Sequence, residues 1–171
     1  RVQVVAGRRV VFDSGAYDEE GRIVGPQDET AEPHADRIDD ENDVMIYEAR
    51  AADGHGLTTF LLREMESFSK DNRLLPRGWS VRGPDATRTA PVGVGEDADF
   101  AGGSDTVTYE VTLPDGTGAV TVHTWLLYQS VPPAWVDNLR GLDTPYARAF
   151  VAMYDGADRS PEVLASATVR E

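Results

Sequence analysis

The sequence contains no cysteine, and its only lysine is Lys70. Without cysteine this chain has no disulfide, no thiolate zinc site, no CxxCH haem attachment and no cysteine nucleophile. Lysine and arginine together number 16 against 30 aspartates and glutamates, so the formal net charge is −14. Nucleic acids and anionic membrane surfaces require clustered positive charge, so we expect neither as a partner. The acidity fits either a high-salt habitat or an acidic extracellular surface.

Long apolar runs are also missing: no stretch approaches the roughly 18–20 residues that a membrane-spanning helix needs. The chain starts at Arg1 without an initiator methionine or a recognisable leader. We therefore interpret residues 1–171 as a single domain from a longer protein, not inserted in a membrane. A hydrophobic fraction of 40% is enough to build a packed core.

Alternation of apolar and polar residues predicts a long antiparallel hairpin in the second half of the chain. Apolar residues occupy every second position from Val107 to Leu113, and the same period resumes from Val120 to Tyr128. The segment between them, 114–118, has the sequence Pro-Asp-Gly-Thr-Gly, which is typical of a turn. Such a hairpin needs a second layer to cover its apolar face.

Further strands are predicted at 2–5, 9–12, 43–49 and 163–169, and helices at 133–139 and 145–154. Asp143 or Thr144 is the expected N-cap of the second helix. Segment 58–69 has apolar residues at helical spacing but would be a strand in a sandwich, and its periodicity leaves both open. Because strands outnumber helices, we expect a mainly β fold. The specific prediction is an antiparallel β-sandwich, Ig-like or jelly-roll-like, with short helical insertions.

Several blocks of the sequence, taken in order, resemble one family. The most specific is KDNRLLPRGW at 70–79, and the others are VFDSG at 11–15, DEEG at 18–21, EPH at 32–34, VMIYE at 44–48, GSDTVTY at 103–109 and LLYQSVP at 126–132. Together they resemble the non-haem, β-rich domain found C-terminal to multihaem c-type cytochrome domains in secreted or periplasmic bacterial proteins.

The resemblance implies a non-catalytic accessory module located outside the cytoplasm, whether periplasmic, cell-surface or secreted. It implies no cofactor within this chain, since any haem would be carried elsewhere in the parent protein. The expected partner is the rest of its own polypeptide, including a haem domain.

Segment 97–105 is the nearest approach to a metal-binding motif. If Asp97 is numbered as position 1 of an EF-hand loop, Asp99 falls at position 3 and Asp105 at position 9. The fifth position is an alanine, however, and the twelfth is a threonine where a bidentate glutamate belongs. Two interpretations stay open: a calcium site formed by Asp97, Asp99 and Asp105, or an acidic loop in which Asp105 binds backbone N–H groups.

The polar run 71–73 beside Trp79 is interpreted as a structural loop. An Asp-Asn pair is typical of an Asx turn, and Arg73 is expected to pair with a carboxylate such as Glu64 or Glu66. In this interpretation the loop holds Trp79 against the core.

Two other functions remain as alternatives. A carbohydrate-binding module would require at least two exposed, coplanar aromatic rings among Trp79, Trp125 and Trp135, although we expect Trp125 to pack beneath the predicted helices. A metal-dependent hydrolase would use His34 or His55 together with carboxylates. No serine lies in a nucleophile-elbow sequence and no glycine-rich phosphate loop is present.

Overall fold

The structure is a computed structural model that describes residues 1–26, 32–95 and 97–171. It is mostly β, with 29% strand and 16% helix, which confirms the mainly β prediction. The strands are β1 (Val2–Ala6), β2 (Arg9–Ser14), β3 (Arg37–Ile38), β4 (Ala49–Ala52), β5 (Ser67–Asp71), β6 (Thr108–Tyr109), β7 (Val120–Tyr128) and β8 (Glu162–Arg170). The helices are α1 (Ala86–Thr89), α2 (Pro133–Arg140) and α3 (Pro145–Asp155), with a 3₁₀ turn at Leu62–Glu64. None of the helices in these described ranges is long and apolar enough to cross a membrane.

The chain divides into two compact units. Unit 1 consists of Arg1–Gln27, Asp40–Asp43 and Val111–Glu171, and unit 2 consists of Asp28–Asp39 and Val44–Glu110. The expectation of one domain spanning 1–171 stays a prediction.

Unit 1 is built on a four-stranded antiparallel sheet with the order β2-β1-β7-β8. The hairpin between β1 and β2 turns at Gly7, whose φ of +62° is readily adopted by glycine alone. Val4 lies opposite Phe12 on one side and Val122 on the other, so these apolar side chains share one face of the sheet. Val2, Val4 and Phe12 are buried there and form part of the core of this unit.

The two longer helices, α2 and α3, lie at the positions that the sequence predicted. Both belong to unit 1, and they pack against each other. Each begins with a proline in its first turn, where the missing N–H has no intrahelical partner to lose. Thr144 is the N-cap of α3, and its hydroxyl accepts a hydrogen bond from Ala147 N over 3.1 Å. The last predicted strand is confirmed as β8.

The predicted hairpin between 106 and 128 is wrong. Strand β7 pairs with β1 and β8, whereas β6 pairs in parallel with β3 in unit 2. The turn itself is present, because Thr117 N donates to Pro114 O over 3.1 Å and Gly116 has a φ of +76°. A two-residue period predicts which residues share a face, but it does not identify the neighbouring strand.

Unit 2 has less regular structure, with a parallel pair β3-β6 and an antiparallel pair β4-β5. The segment left open at 58–69 contains the 3₁₀ turn and then enters β5. The strand predicted at 43–49 is wrong, since β4 begins only at Ala49. Main-chain groups of 46–48 are instead bound by side chains from the end of β5, which replace a strand partner.

Candidate functional site

Asn72, which directly follows β5, is fully buried and lies at the centre of a polar cluster in unit 2. Its Oδ1 accepts a hydrogen bond from Glu48 N over 2.8 Å, so the amide orientation is assigned by a partner that can only donate. Its Nδ2 donates to Ile46 O over 3.0 Å and lies 3.1 Å from His34 Nδ1. Because Nδ2 is a donor, His34 Nδ1 is the acceptor.

This contact assigns the His34 tautomer, with the proton on Nε2. His34 Nε2 donates to Asp97 Oδ2 over 2.8 Å, and both side chains are only 3% exposed. The edge of the His34 ring also contacts Phe100, with the ring centroids 5.2 Å apart. Both ring nitrogens are therefore engaged by protein groups, and the ring is held on a third side by packing.

The second oxygen of Asp97 organises its own loop. Asp97 Oδ1 accepts from the backbone N–H groups of Asp99 and Phe100 over 3.0 and 3.1 Å, which is an Asx turn. Burial opposes ionisation of this carboxyl, but the hydrogen bonds from His34 and from those two N–H groups outweigh it. The pKa of Asp97 therefore lies well below its usual range, and the group is a carboxylate at neutral pH.

Further carboxylates surround Asp97 in two groups. In the first, ligand atoms of His34, Asp97 and Asp105 lie within 4.8 Å of one another, and in the second those of Asp36, Asp97 and Asp99 do. Tyr47 Oη donates to Asp105 Oδ2 over 2.6 Å, and burial followed by this bond raises the pKa of Tyr47. Partial desolvation and the neighbouring charge of Asp97 raise the pKa of Asp36.

The structure thus brings together only part of the calcium site that the sequence predicts. Asp97 belongs to both carboxylate groups, whereas Asp99 and Asp105 belong to different ones. A metal ion bound between His34 and Asp97 would have to replace the hydrogen bond that joins them. His55 is elsewhere, in an exposed turn where its backbone N–H donates to Asp53 Oδ1.

Lys70 forms the other half of the buried cluster, and sequence reasoning assigned it no role. Its Nζ donates to Glu32 O and Ile46 O, each over 2.9 Å, and lies 3.3 Å from Glu48 Oε1. All three ammonium hydrogens therefore have an acceptor. Burial lowers the pKa of Lys70, and the charge of Glu48 opposes that shift. The feature of the sequence that could have indicated a special role for Lys70 is that it is the only lysine in an arginine-rich chain.

Arg73 and Arg50 complete the ion pairs around this cluster. Arg73 forms a bidentate pair with Asp71 over 2.8 and 2.7 Å, rather than pairing with Glu64 or Glu66. The i,i+2 separation places both side chains on the same side of an extended backbone, which brings the fork to the carboxylate. Arg50, which is buried, pairs with Glu48.

The three tryptophans are spread over both units. Trp79 in unit 2 is half-buried and donates from Nε1 to Thr89 Oγ1 over 2.9 Å. Trp125 is half-buried rather than buried, with the Arg1 guanidinium 5.3 Å from its ring and His123 stacked 5.7 Å away. Trp135 is 36% exposed. The carbohydrate-binding alternative stays a prediction.

Comparison with known proteins assigns no family to the chain. A scan against models of protein families, a search of curated proteins and a search of solved structures each found no match.

Proposed function

We propose that this chain is a non-catalytic β-sandwich module that acts outside the cytoplasm. In this proposal it is the structural and docking part of a larger multihaem-cytochrome-like protein. The observation that supports a non-catalytic role is the saturation of the buried cluster in unit 2. Asn72, His34 and Lys70 each direct their polar atoms at groups of the same unit.

A general base needs a nitrogen or oxygen that faces substrate, and a nucleophile needs an activated donor in reach of one. His34 has neither nitrogen free, and the Lys70 ammonium is held by two carbonyls and a carboxylate. Among the buried side-chain polar atoms of the described residues, only Tyr154 Oη lacks a hydrogen-bond partner. The same groups that would perform chemistry are used to hold loops in place.

The cluster connects separate segments of unit 2. It joins the segments around 32–34, 46–48, 70–72 and 97–100, most of which lie outside strands. A rigid unit of this kind presents surface carboxylates in fixed positions, and the net charge of −14 favours a basic partner surface. A haem domain with a basic face would meet this requirement. The sandwich part of the proposal is supported by the sheet of unit 1, whose buried Val2, Val4 and Phe12 require a covering layer.

The experiment is to isolate the full polypeptide that carries this chain from its source and record its pyridine haemochrome spectrum. We expect the spectrum of covalently bound c-type haem, and recovery of the polypeptide from the periplasmic, surface or culture-medium fraction. A full-length polypeptide without haem, or one recovered only from the cytoplasm, would contradict the proposal.

We also propose calcium as a ligand of the carboxylates around Asp97. The observation in its favour is that Asp36, Asp97 and Asp99 each offer a carboxylate oxygen, and these three oxygens lie within 4.8 Å of one another. Oxygens of this kind are the hard ligands that calcium prefers. Two of these residues are exposed, so an ion reaches them without displacing His34.

The test is a thermal melt of the metal-stripped chain with and without calcium, with magnesium as the comparison. A ligand at a hundredfold excess over its Kd stabilises the folded state by about 2.7 kcal/mol. We expect a calcium-specific rise in Tm that is lost in Asp99→Asn and kept in Asp85→Asn, which removes an exposed carboxylate at the start of α1. An unchanged Tm with calcium would leave the carboxylates as loop-forming groups only.

A further inference from the structure

Three aspartates of this chain are followed directly by glycine: Asp53, Asp115 and Asp155. At such a pair the main-chain nitrogen of the glycine can attack the side-chain carboxyl carbon of the aspartate, because glycine has no side chain to obstruct the approach. The five-membered ring closes only if the peptide unit between the two residues rotates until its nitrogen faces that carbon. The hydrogen bonds of each aspartyl-glycyl pair therefore decide whether it reacts in the folded protein.

The peptide unit between Asp53 and Gly54 is fixed in the turn after β4. The carbonyl of Asp53 accepts a hydrogen bond from Gly56 N over 3.0 Å. Its side-chain Oδ1 accepts from the backbone N–H groups of His55 and Leu57 over 2.8 and 3.0 Å. The bonds from Leu57 and His55 also lower the pKa of Asp53. Since the carboxyl must be protonated to leave as water, both the fixed turn and the lowered pKa oppose the reaction.

The peptide unit between Asp155 and Gly156 is fixed at the end of α3. Gly156 N donates to Ala152 O over 3.3 Å, so the attacking nitrogen is held in the last turn of the helix. The carboxylate of Asp155 pairs with both terminal nitrogens of Arg140, one of them over 2.9 Å. This hydrogen-bonded pair lowers the pKa of Asp155. Ring closure there requires the helix end to open and the ion pair to break.

The peptide unit between Asp115 and Gly116 is not fixed in this way. Both residues are exposed and lie at the centre of the turn that Thr117 closes by donating from N to Pro114 O over 3.1 Å. Among the residues that the structure describes, none forms a hydrogen bond with the carbonyl of Asp115, its carboxylate or the N–H of Gly116. A Cβ on Gly116 would meet no atom within 4 Å. This peptide unit therefore rotates without losing a hydrogen bond.

We propose that Asp115 is a site of spontaneous isoaspartate formation, and that the fold protects Asp53 and Asp155 from the same modification. Gly116 N bonds to the side-chain carboxyl carbon of Asp115, and the carboxyl hydroxyl leaves as water with the amide hydrogen. A second water then opens the ring. Attack at the side-chain carbonyl restores aspartate, whereas attack at the main-chain carbonyl leaves the main chain running through the side chain. One water is lost and one is gained, so the mass is unchanged.

The test is to age the folded chain beside a sample kept unfolded in guanidinium. Ageing is done at about pH 5, where an aspartate with the reference pKa of about 3.9 is still partly protonated. Both samples are then unfolded, freed of denaturant and digested with endoproteinase Asp-N, which cleaves before aspartate but not before isoaspartate. Isoaspartate at 115 replaces the fragments 105–114 and 115–136 by 105–136. Modification at 53 or 155 is detected as the fragment 43–70 or 143–157.

We expect the fragment 105–136 to accumulate at a similar rate in the folded and unfolded samples. The fragments 43–70 and 143–157 are expected to form at least about tenfold more slowly in the folded sample, because reaction there needs a local opening of the structure. Protection of Asp115 in the folded chain would overturn the proposal. Formation at Asp53 or Asp155 as fast as at Asp115 in the folded chain would also overturn it.

A matched pair of variants separates the effect of the turn from that of carboxyl protonation. Asp115→Asn and Asp53→Asn each create an asparagine before glycine, which closes the same ring with loss of ammonia and needs no protonated carboxyl. The side-chain oxygen at position 53 still accepts from His55 and Leu57. We expect the folded Asp115→Asn chain to gain the mass difference between hydroxyl and amino groups at least about tenfold faster than the folded Asp53→Asn chain. Equal rates of mass gain would overturn the proposal.

Discussion

Asn72 donates a hydrogen bond to His34: the amide Nδ2 lies 3.1 Å from His34 Nδ1, and both side chains are buried. Glu48 N donates a hydrogen bond to the amide oxygen of Asn72, so the amide atom that faces His34 is the nitrogen, which donates. This donation requires the His34 proton on Nε2, where Asp97 accepts it. Asn72, at the end of β5, thus orients the His34 ring, and the ring in turn holds the loop that contains Asp97.

Asn72→Asp is expected to destabilise the protein although it changes one atom. It replaces the donor that faces Ile46 O and His34 Nδ1 with an acceptor, and it buries a further charge. We expect the free energy of unfolding in guanidinium to fall by about 2–4 kcal/mol. The same change at the exposed Asn138 of α2 is the control and is expected to cost less than about 0.5 kcal/mol. Equal effects of the two variants would contradict the assigned hydrogen bonds.

Asp97 is expected to contribute to acid denaturation. Its pKa is lowered in the folded protein relative to the unfolded value of about 3.9, so its stabilisation is complete above that value and is lost as the pH falls below it. Asp97→Asn is therefore expected to lower the free energy of unfolding at pH 7 and to flatten its dependence on pH between about 5 and 2. Guanidinium titrations at a series of pH values measure this, with Asp85→Asn as the control. A wild-type slope in Asp97→Asn would show that other carboxyl groups cause the acid dependence.

Lys70→Met tests whether the buried ammonium is structural. The substitution leaves the carbonyls of Glu32 and Ile46 and the carboxylate of Glu48 without their common donor. Removing one partner of a buried ion pair costs about 3–5 kcal/mol, and we expect a loss in that range. Arg63→Met removes a cation that is 82% exposed and is expected to change stability by less than about 0.5 kcal/mol. A Lys70→Met protein as stable as wild type would mean that the ammonium contributes no net stability.

Gly21 and Gly7 have similar positive φ angles, so a comparison of alanine variants at the two positions separates the effect of steric contact from that of backbone strain. A Cβ at Gly21 would lie 2.5 Å from Arg159 O and 2.7 Å from Gln129 Nε2, whereas a Cβ at Gly7 meets nothing within 4 Å. Both have positive φ, +76° and +62°, so alanine at either position carries about 1–2 kcal/mol of strain. We expect Gly21→Ala to cost more than Gly7→Ala, because the backbone carbonyl of Arg159 must move. An equal decrease in Tm for the two variants would contradict the predicted contact between a Cβ at position 21 and Arg159 O.

The mainly β character, the two strands on either side of Gly7, both longer helices and the last strand were predictable from the sequence. Each depends on local chemistry: alternation over a few residues, a glycine at a turn, or a proline after a capping threonine. Strand partners were not predictable, because alternation is the same whichever neighbour a strand has. For this reason the hairpin expected between 106 and 128 was wrong, although the turn at Pro114–Gly116 and strand β7 are both present.

For the candidate site, the sequence by itself identified the acidic segment 97–105, His34 and the polar run after Lys70 as chemically unusual. It treated them as separate features, since they are distant in the chain. Only the tertiary structure joined them, by placing Asn72 between His34 and Glu48 and by burying Lys70 among carbonyls. The physical reason is that a buried polar group must find its partners in three dimensions, and local sequence carries no record of which distant groups those are.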